Sequence, residues 1–260
     1  MSHVEASLLG AVSGLTIFIG LPVARLRRFP AGFRNTMPAI ATGVLIFLLW
    51  DVLSHAGDVV TGAMPNGSHG SLTRFAGLLA AFLVGLAVGL LGLVYTSGRM
   101  MGRVRGSSES PRQLAMIIAG GLGMHNLSEG LAIGQAAGTG ALALTGVLVV
   151  GFGLHNITEG FGIGAPLAVD KTVPSWGFLA GAGLLGGGPT FVGATVGYMI
   201  ISPYFYVLFL TLAAGAIIYV INEMFPLGKR LSTRAPMAWA LLAGFIGAYA
   251  TDLMLTYIGA

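Results

Sequence analysis

The sequence predicts an all-α polytopic membrane protein, a bundle of eight spanning helices with both termini on the outer side. Three observations carry that prediction. Only 8% of the 260 residues are charged and 55% are hydrophobic, whereas a soluble chain carries about 25% charged residues to cover its surface. The mean hydropathy is +0.86, and the apolar residues come in long runs separated by short polar breaks. The basic residues, finally, alternate from loop to loop.

Runs near the ~20 residues that a bilayer requires fall at 6–24, 36–56, 75–96, 113–137, 141–168, 176–200, 204–226 and 236–258. The start, Met1-Ser-His-Val-Glu, lacks the basic stretch of a signal peptide, so the first run is expected to remain as a helix. The breaks at 57–74 and 97–112 are polar and contain Gly and Ser, which reads as loops rather than linkers, and residues 1–260 form a single transmembrane domain. Arg25, Arg27, Arg28 and Arg34 follow the first run, and Arg99, Arg103, Arg105 and Arg112 follow the third. Lys171 follows the fifth, and Lys229, Arg230 and Arg234 follow the seventh. Twelve of the thirteen bases thus share one side, and only Arg74 lies opposite. By the positive-inside rule those loops are cytoplasmic and the termini face out. A missed or false helix would scramble this alternation.

Composition also sets aside several classes of function. The pI of about 9.7 does not point to nucleic acid, because the bases sit in short loops where membrane orientation explains them. With no Cys, disulfides, thiolate ligands and thiol catalysis are excluded. The 42 Gly suit spanning helices, whose backbones pack closely over small residues.

One internal repeat stands out. Gly121-Leu-Gly-Met-His-Asn-Leu-Ser-Glu-Gly-Leu-Ala-Ile-Gly134 recurs thirty residues later as Gly151-Phe-Gly-Leu-His-Asn-Ile-Thr-Glu-Gly-Phe-Gly-Ile-Gly164, identical at eight of fourteen positions. In each copy His and Glu are four apart and project from one helical face. The fourth and fifth runs are antiparallel neighbours, and pairing His125 with Glu159 centres on Leu142, as does pairing Glu129 with His155. The chain reverses there, so each His should face the Glu of the other helix near the bilayer middle. Charged groups at that depth cost at least ~2.5–3.5 kcal/mol each and read as functional. A divalent cation neutralises two carboxylates, while neutral His supplies nitrogen ligands suited to zinc and its neighbours. Asn126 and Asn156 would add carbonyl oxygens or orient the other ligands. The plain alternative is a pair of His–Glu hydrogen bonds that hold two helices together.

At these residues the chain resembles the ZIP (Zrt-/Irt-like) metal transporters, in particular the GufA-type branch, which reads His-Asn-x-Pro-Glu-Gly in its fourth and fifth helices. Gly164-Ala-Pro-Leu167 is similar to the family's continuation after the second motif, and Ala214-Gly-Ala-Ile-Ile-Tyr-Val-Ile-Asn-Glu-Met-Phe-Pro226 to its seventh helix. The resemblance implies an eight-helix ZIP-like bundle that carries divalent transition-metal ions toward the cytoplasm by alternating access, zinc first, with iron, manganese or cadmium as further cargo. It implies that helices one, four, five and six move as a unit, often within a homodimer. Three departures stand out: Ser128 and Thr158 replace the family's prolines, Gly188 stands where the branch often has a Glu that would bridge a second metal, and no His-rich stretch occupies the third cytoplasmic-side loop. A Ser or Thr bonded to the carbonyl four residues back would bend the helix mildly in place of proline.

Other intramembrane polar residues suggest a pathway. Asp51 and His55, four apart near the outer end of the second run, form a capture site or simply pair with each other. Asn222 and Glu223 lie toward the cytoplasmic end of the seventh. Asp252 reads as a structural acceptor, and His3 and His69 as solvated loop residues. The competing function is an intramembrane metal-dependent enzyme using the same site. No His-Glu-x-x-His motif and no nucleophile-base order accompany the metal residues, so no catalytic residue is assigned. The expected partners are divalent ions and the lipid bilayer, with the metal as cargo rather than cofactor. Short loops suggest a prokaryotic inner membrane.

Overall fold

The computed structural model describes residues 1–26, 30–65, 71–101, 110–200 and 202–257. Arg27, Arg28, Arg103, Arg105 and His69 lie outside them, as does the side chain of Arg99. The described chain is an all-helical membrane bundle, with seven helices long and apolar enough to span a bilayer. The eighth, which carries the first motif, is the more polar one and is enclosed by the others.

The first span is broken into three pieces: α1 (His3–Leu15), α2 (Ile17–Gly20) and a 3₁₀ turn at Leu21–Arg25. Ser2 starts α1 with a capping box, its hydroxyl accepting from Glu5 N–H and the Glu5 carboxylate accepting from Ser2 N–H, which satisfies two otherwise open donors. The break comes at Thr16, whose hydroxyl reaches the carbonyls of Ser13 and, across the bundle, Gly153 at 2.7 and 2.6 Å. His3 is therefore not a solvated loop residue. It sits in the first turn of α1, Nε2 3.1 Å from Thr195 O and its ring against Tyr198, because the capping box starts the helix earlier than hydropathy suggests.

The remaining spans are α3 (Ala31–Thr61), α4 (Leu72–Met101), α5 (Pro111–Gly138), α6 (Leu142–Ala168), α7 (Trp176–Met199), α8 (Pro203–Leu231) and α9 (Arg234–Tyr257). Several run longer than their apolar cores. At 31 residues, α3 is about 46 Å long, more than the ~30 Å hydrocarbon layer, and α8 continues through Pro226. Prolines are tolerated inside such helices where neighbours re-satisfy the backbone. Ser110 caps α5 with a box to Gln113, with Pro111 in the first turn, where its missing N–H costs nothing. The α5–α6 reversal turns on Gly140 at φ +79°, a left-handed conformation that glycine adopts without strain.

The helices pack as two units. One holds α1, α2, α5, α6 and α7; the other holds α3, α4, α8 and α9. Inside each, glycines bring backbones into direct contact. Gly14 lies on the Gly187 carbonyl, Gly160 on that of Ile17 and Gly193 on that of Leu127; in the second unit, Gly43 lies on Leu241 and Gly244 on Ile40. Between the units the contact from Gly121 is looser and runs through side chains, to Val220 and Ala216. Arg25 and Arg112 both grip the α6–α7 loop. Arg25 donates to Pro174 O and covers the Trp176 ring, while Arg112 meets Asp170 at 3.2 Å and Thr172 at 2.8 Å. The bases at the end of the 3₁₀ turn and at the start of α5 thus share one end of the bundle, as the charge pattern predicts.

Candidate metal site

Midway along α5 and α6, the two motifs meet. His125 Nε2 lies 3.3 Å from Glu129 Oε1 on its own helix and 3.5 Å from Glu159 Oε1 on the other. His155 Nδ1 lies 3.9 Å from Glu129 Oε1. Each imidazole therefore faces the carboxylate of the opposite helix, as the pairing about Leu142 predicts. His125, Glu129, His155 and Glu159 are 1–5% exposed.

The burial is costly as it stands. Among the described residues, both nitrogens of His125, both oxygens of Glu129, Nε2 of His155 and Oε1 of Glu159 are enclosed without a hydrogen-bond partner. Each such group forfeits its hydration, by about 1–3 kcal/mol and more when charged. One atom each from His125, Glu129 and Glu159 falls within 4.8 Å of the others. A tetrahedral ion with bonds of ~2.1 Å would hold its ligands ~3.4 Å apart, close to the 3.3 and 3.5 Å separations around His125 Nε2. The donor set and its spacing fit a divalent transition metal. His155 stands outside this triangle, its Nδ1 3.9 Å from Glu129 Oε1.

Of the two expected roles, Asn126 visibly fills the orienting one, while the Oδ1 atoms of Asn126 and Asn156 are buried and without a hydrogen-bond partner among the described residues. Asn126 Nδ2 donates to Glu159 Oε2 at 2.7 Å and to Gly186 O on α7 at 3.0 Å, so it fixes the carboxylate and ties it to a third helix. Asn156 Nδ2 donates to Ser13 O at 3.2 Å, anchoring α6 to α1. Ser128 and Thr158 donate to the carbonyls of His125 and His155 at 2.6 and 2.7 Å. These carbonyls are three residues back rather than four, and both helices run on unbroken. The hydroxyls thus sit on the backbone of the ligands themselves.

Gly188 does not bear on this site. It lies on the face of α7 that carries exposed Leu184, Phe191 and Val192, and a Cβ there would meet nothing within 4 Å. A side chain at 188 would start toward that exposed face rather than toward the cluster.

Asp51 and His55 are brought to the site's approach. With Tyr206 and Phe152 they line a cavity of about 40 Å³ that also touches His125 and Glu129, enough for a few waters. The pair do bond each other, at 3.3 Å, with side-chain exposure rising from 14% at Asp51 to 58% at His55. The cavity therefore runs from the surface to the buried ligands. Asn222 and Glu223 are not brought there: Asn222 is exposed, Glu223 is half-buried, and they bond each other at 3.4 Å. Sequence reasoning misses Tyr206, the Gly186 carbonyl and Ser13. An isolated Tyr and two backbone carbonyls leave no motif to find.

Compared with known protein families and with curated proteins, the sequence finds no match in either. The fold and the cluster define an integral multi-pass membrane protein with a buried His/Glu site that could bind a metal ion.

Proposed function

We propose that this protein carries divalent transition-metal ions, zinc foremost, across a membrane, with His125, Glu129, Glu159 and His155 holding the ion halfway. The observation that supports this reading is the convergence of two imidazoles and two carboxylates, with buried and unpartnered atoms, from adjacent antiparallel spans. Intramembrane ionisable groups default to a substrate or ion path, and the mixed N/O set suits zinc, iron or manganese better than calcium or magnesium. The resemblance to ZIP transporters favours the same reading, and it alone supplies the direction, toward the cytoplasm, and the homodimer. Asp51 and His55 take the ion in from the cavity mouth. The exit past Asn222 and Glu223 rests on the resemblance, since those residues lie apart from the cluster.

The division of the bundle suits alternating access. Every ligand belongs to α5 and α6 in one unit, while Asp51, His55 and Tyr206 at the cavity mouth belong to the other. A sliding of one unit along the other would change which side the ligands face.

Uptake of radioactive zinc into proteoliposomes tests the proposal. Glu129→Gln with Glu159→Gln should lower flux at least ~100-fold, since loss of even an orienting partner costs ~10–100-fold in affinity. Unchanged flux would overturn it, and metal-dependent turnover of a lipid or peptide without flux would favour an intramembrane enzyme instead.

A further inference from the structure

The corner between α8 and α9 lies at the bundle end that carries the basic loops. Ser232 closes α8, its N–H bonded to Gly228 O at 3.0 Å, and α9 starts two residues later, with Met237 N–H bonded to Thr233 O at 3.1 Å. Between the two helices opens a cleft of about 530 Å³, within the ~300–1,000 Å³ that small-molecule sites occupy. Its lining is mixed: Lys229, Ser232 and Arg234, nearest the corner in sequence, are polar, and Met237, Ala238 and Leu241, further along α9, are apolar.

Two features say what such a cleft takes. Among the described residues no acidic side chain lines it, and the chain from 224 to 251 contains no Asp or Glu, so residues 224–251 supply no carboxylate to Lys229 or Arg234. The positive end of the α9 dipole adds to the same field. The second feature is depth. Trp239, 71% exposed in the second turn of α9, suits the headgroup layer, where indoles concentrate. Leu242 and Ile246, 46% and 52% exposed, carry the apolar outer face onward into the hydrocarbon. The cleft therefore crosses from headgroup to acyl depth, with cations at the first and apolar side chains at the second. A soluble anion would leave the apolar half without a partner.

We propose that this corner binds an anionic phospholipid of the bilayer, its phosphate held by Lys229, Arg234 and the Ser232 hydroxyl and one acyl chain lying over Ala238 and Leu241. The site is independent of the metal cluster and stands whether or not the protein carries metal. It falls on the side that the charge pattern predicts to be cytoplasmic, where bilayers carry their anionic lipids.

Native mass spectrometry of the purified protein in detergent counts retained lipid after addition of phosphatidylglycerol, phosphatidylcholine or inorganic phosphate. Phosphatidylglycerol should be retained and phosphatidylcholine lost. Lys229→Gln with Arg234→Gln should weaken phosphatidylglycerol roughly thirty-fold, the effect of two basic groups acting at a headgroup. Ala238→Trp, which fills the apolar floor and leaves both charges, should weaken it as well. Equal retention of the two lipids overturns the proposal, as does phosphatidylglycerol binding unaltered in both variants. Displacement of phosphatidylglycerol by inorganic phosphate at equal concentration also overturns it, by making the site one for a soluble anion. Should the variants misfold, the comparison of the two lipids on the unaltered protein decides alone.

Discussion

Asn126 shows how much of the site is carried by a residue that need not touch metal. Its amide N–H groups hold Glu159 Oε2 at 2.7 Å and the Gly186 carbonyl at 3.0 Å, so one side chain joins α5, α6 and α7 at the cluster. Its role is decided by substituting the donor rather than deleting the side chain. Asn126→Ala should lower zinc affinity about 10–100-fold, the usual cost of losing a partner that orients a ligand. Asn126→Asp keeps an oxygen in place and removes the donor. Were the asparagine a ligand through its oxygen, the added charge would tighten binding. Because the N–H holds a carboxylate, the aspartate should instead set two like charges in contact and weaken binding as well. Competition against a chromophoric chelator measures both variants, and tighter binding by the aspartate variant would refute the orienting role.

The helices themselves are set by glycine as much as by hydropathy. A Cβ at Gly187 would land on the carbonyl of Gly14 and press within 3.0 Å of Ile17 Cγ2, while one at Gly188 would meet nothing. Gly187→Ala should therefore force α1 and α7 apart at about 1–3 kcal/mol, and Gly188→Ala should be neutral or gain up to ~1 kcal/mol from helix propensity. Thermal melts in detergent compare the two, and equal melting would mean that α1 and α7 do not pack through Gly187. This contrast marks the limit of what could be read in advance. The spans are legible because hydropathy and charge alternation are properties of the sequence itself, and the meeting of His125 with Glu159 follows from the distance of each from the turn. The break at Thr16, the early start at Ser2 and the use of the Gly186 carbonyl depend on which neighbour lies alongside, which no local pattern records. Gly187 and Gly188 show the same limit: adjacent glycines on one helix point to opposite surroundings, and position in a motif does not say which.

At the scale of the whole molecule, packing inside the two units differs from packing between them. Within each, backbones touch at glycines; between them, a Cβ added at Gly121 would meet the side chains of Ala216 and Val220 at 3.5 and 3.4 Å. Backbone contact at glycine leaves no slack for sliding, whereas side-chain contact between small residues can be remade at another register. The proposed carrier cycle needs that interface to move. The absence of Cys from the sequence makes this directly measurable. The 3.5 Å from an added Cβ at Gly121 to Ala216 Cβ is at the near end of the ~3.5–4.5 Å range of disulfides, so Gly121→Cys with Ala216→Cys should oxidise to a bridge across the interface. Zinc flux should then fall to background on oxidation and return on reduction, while either single variant stays active in both states. Zinc binding to the oxidised protein should persist, because all four proposed ligands lie on α5 and α6 within one unit. Flux that continues through the bridged protein would show that the ion crosses without relative movement of the units, as in a channel.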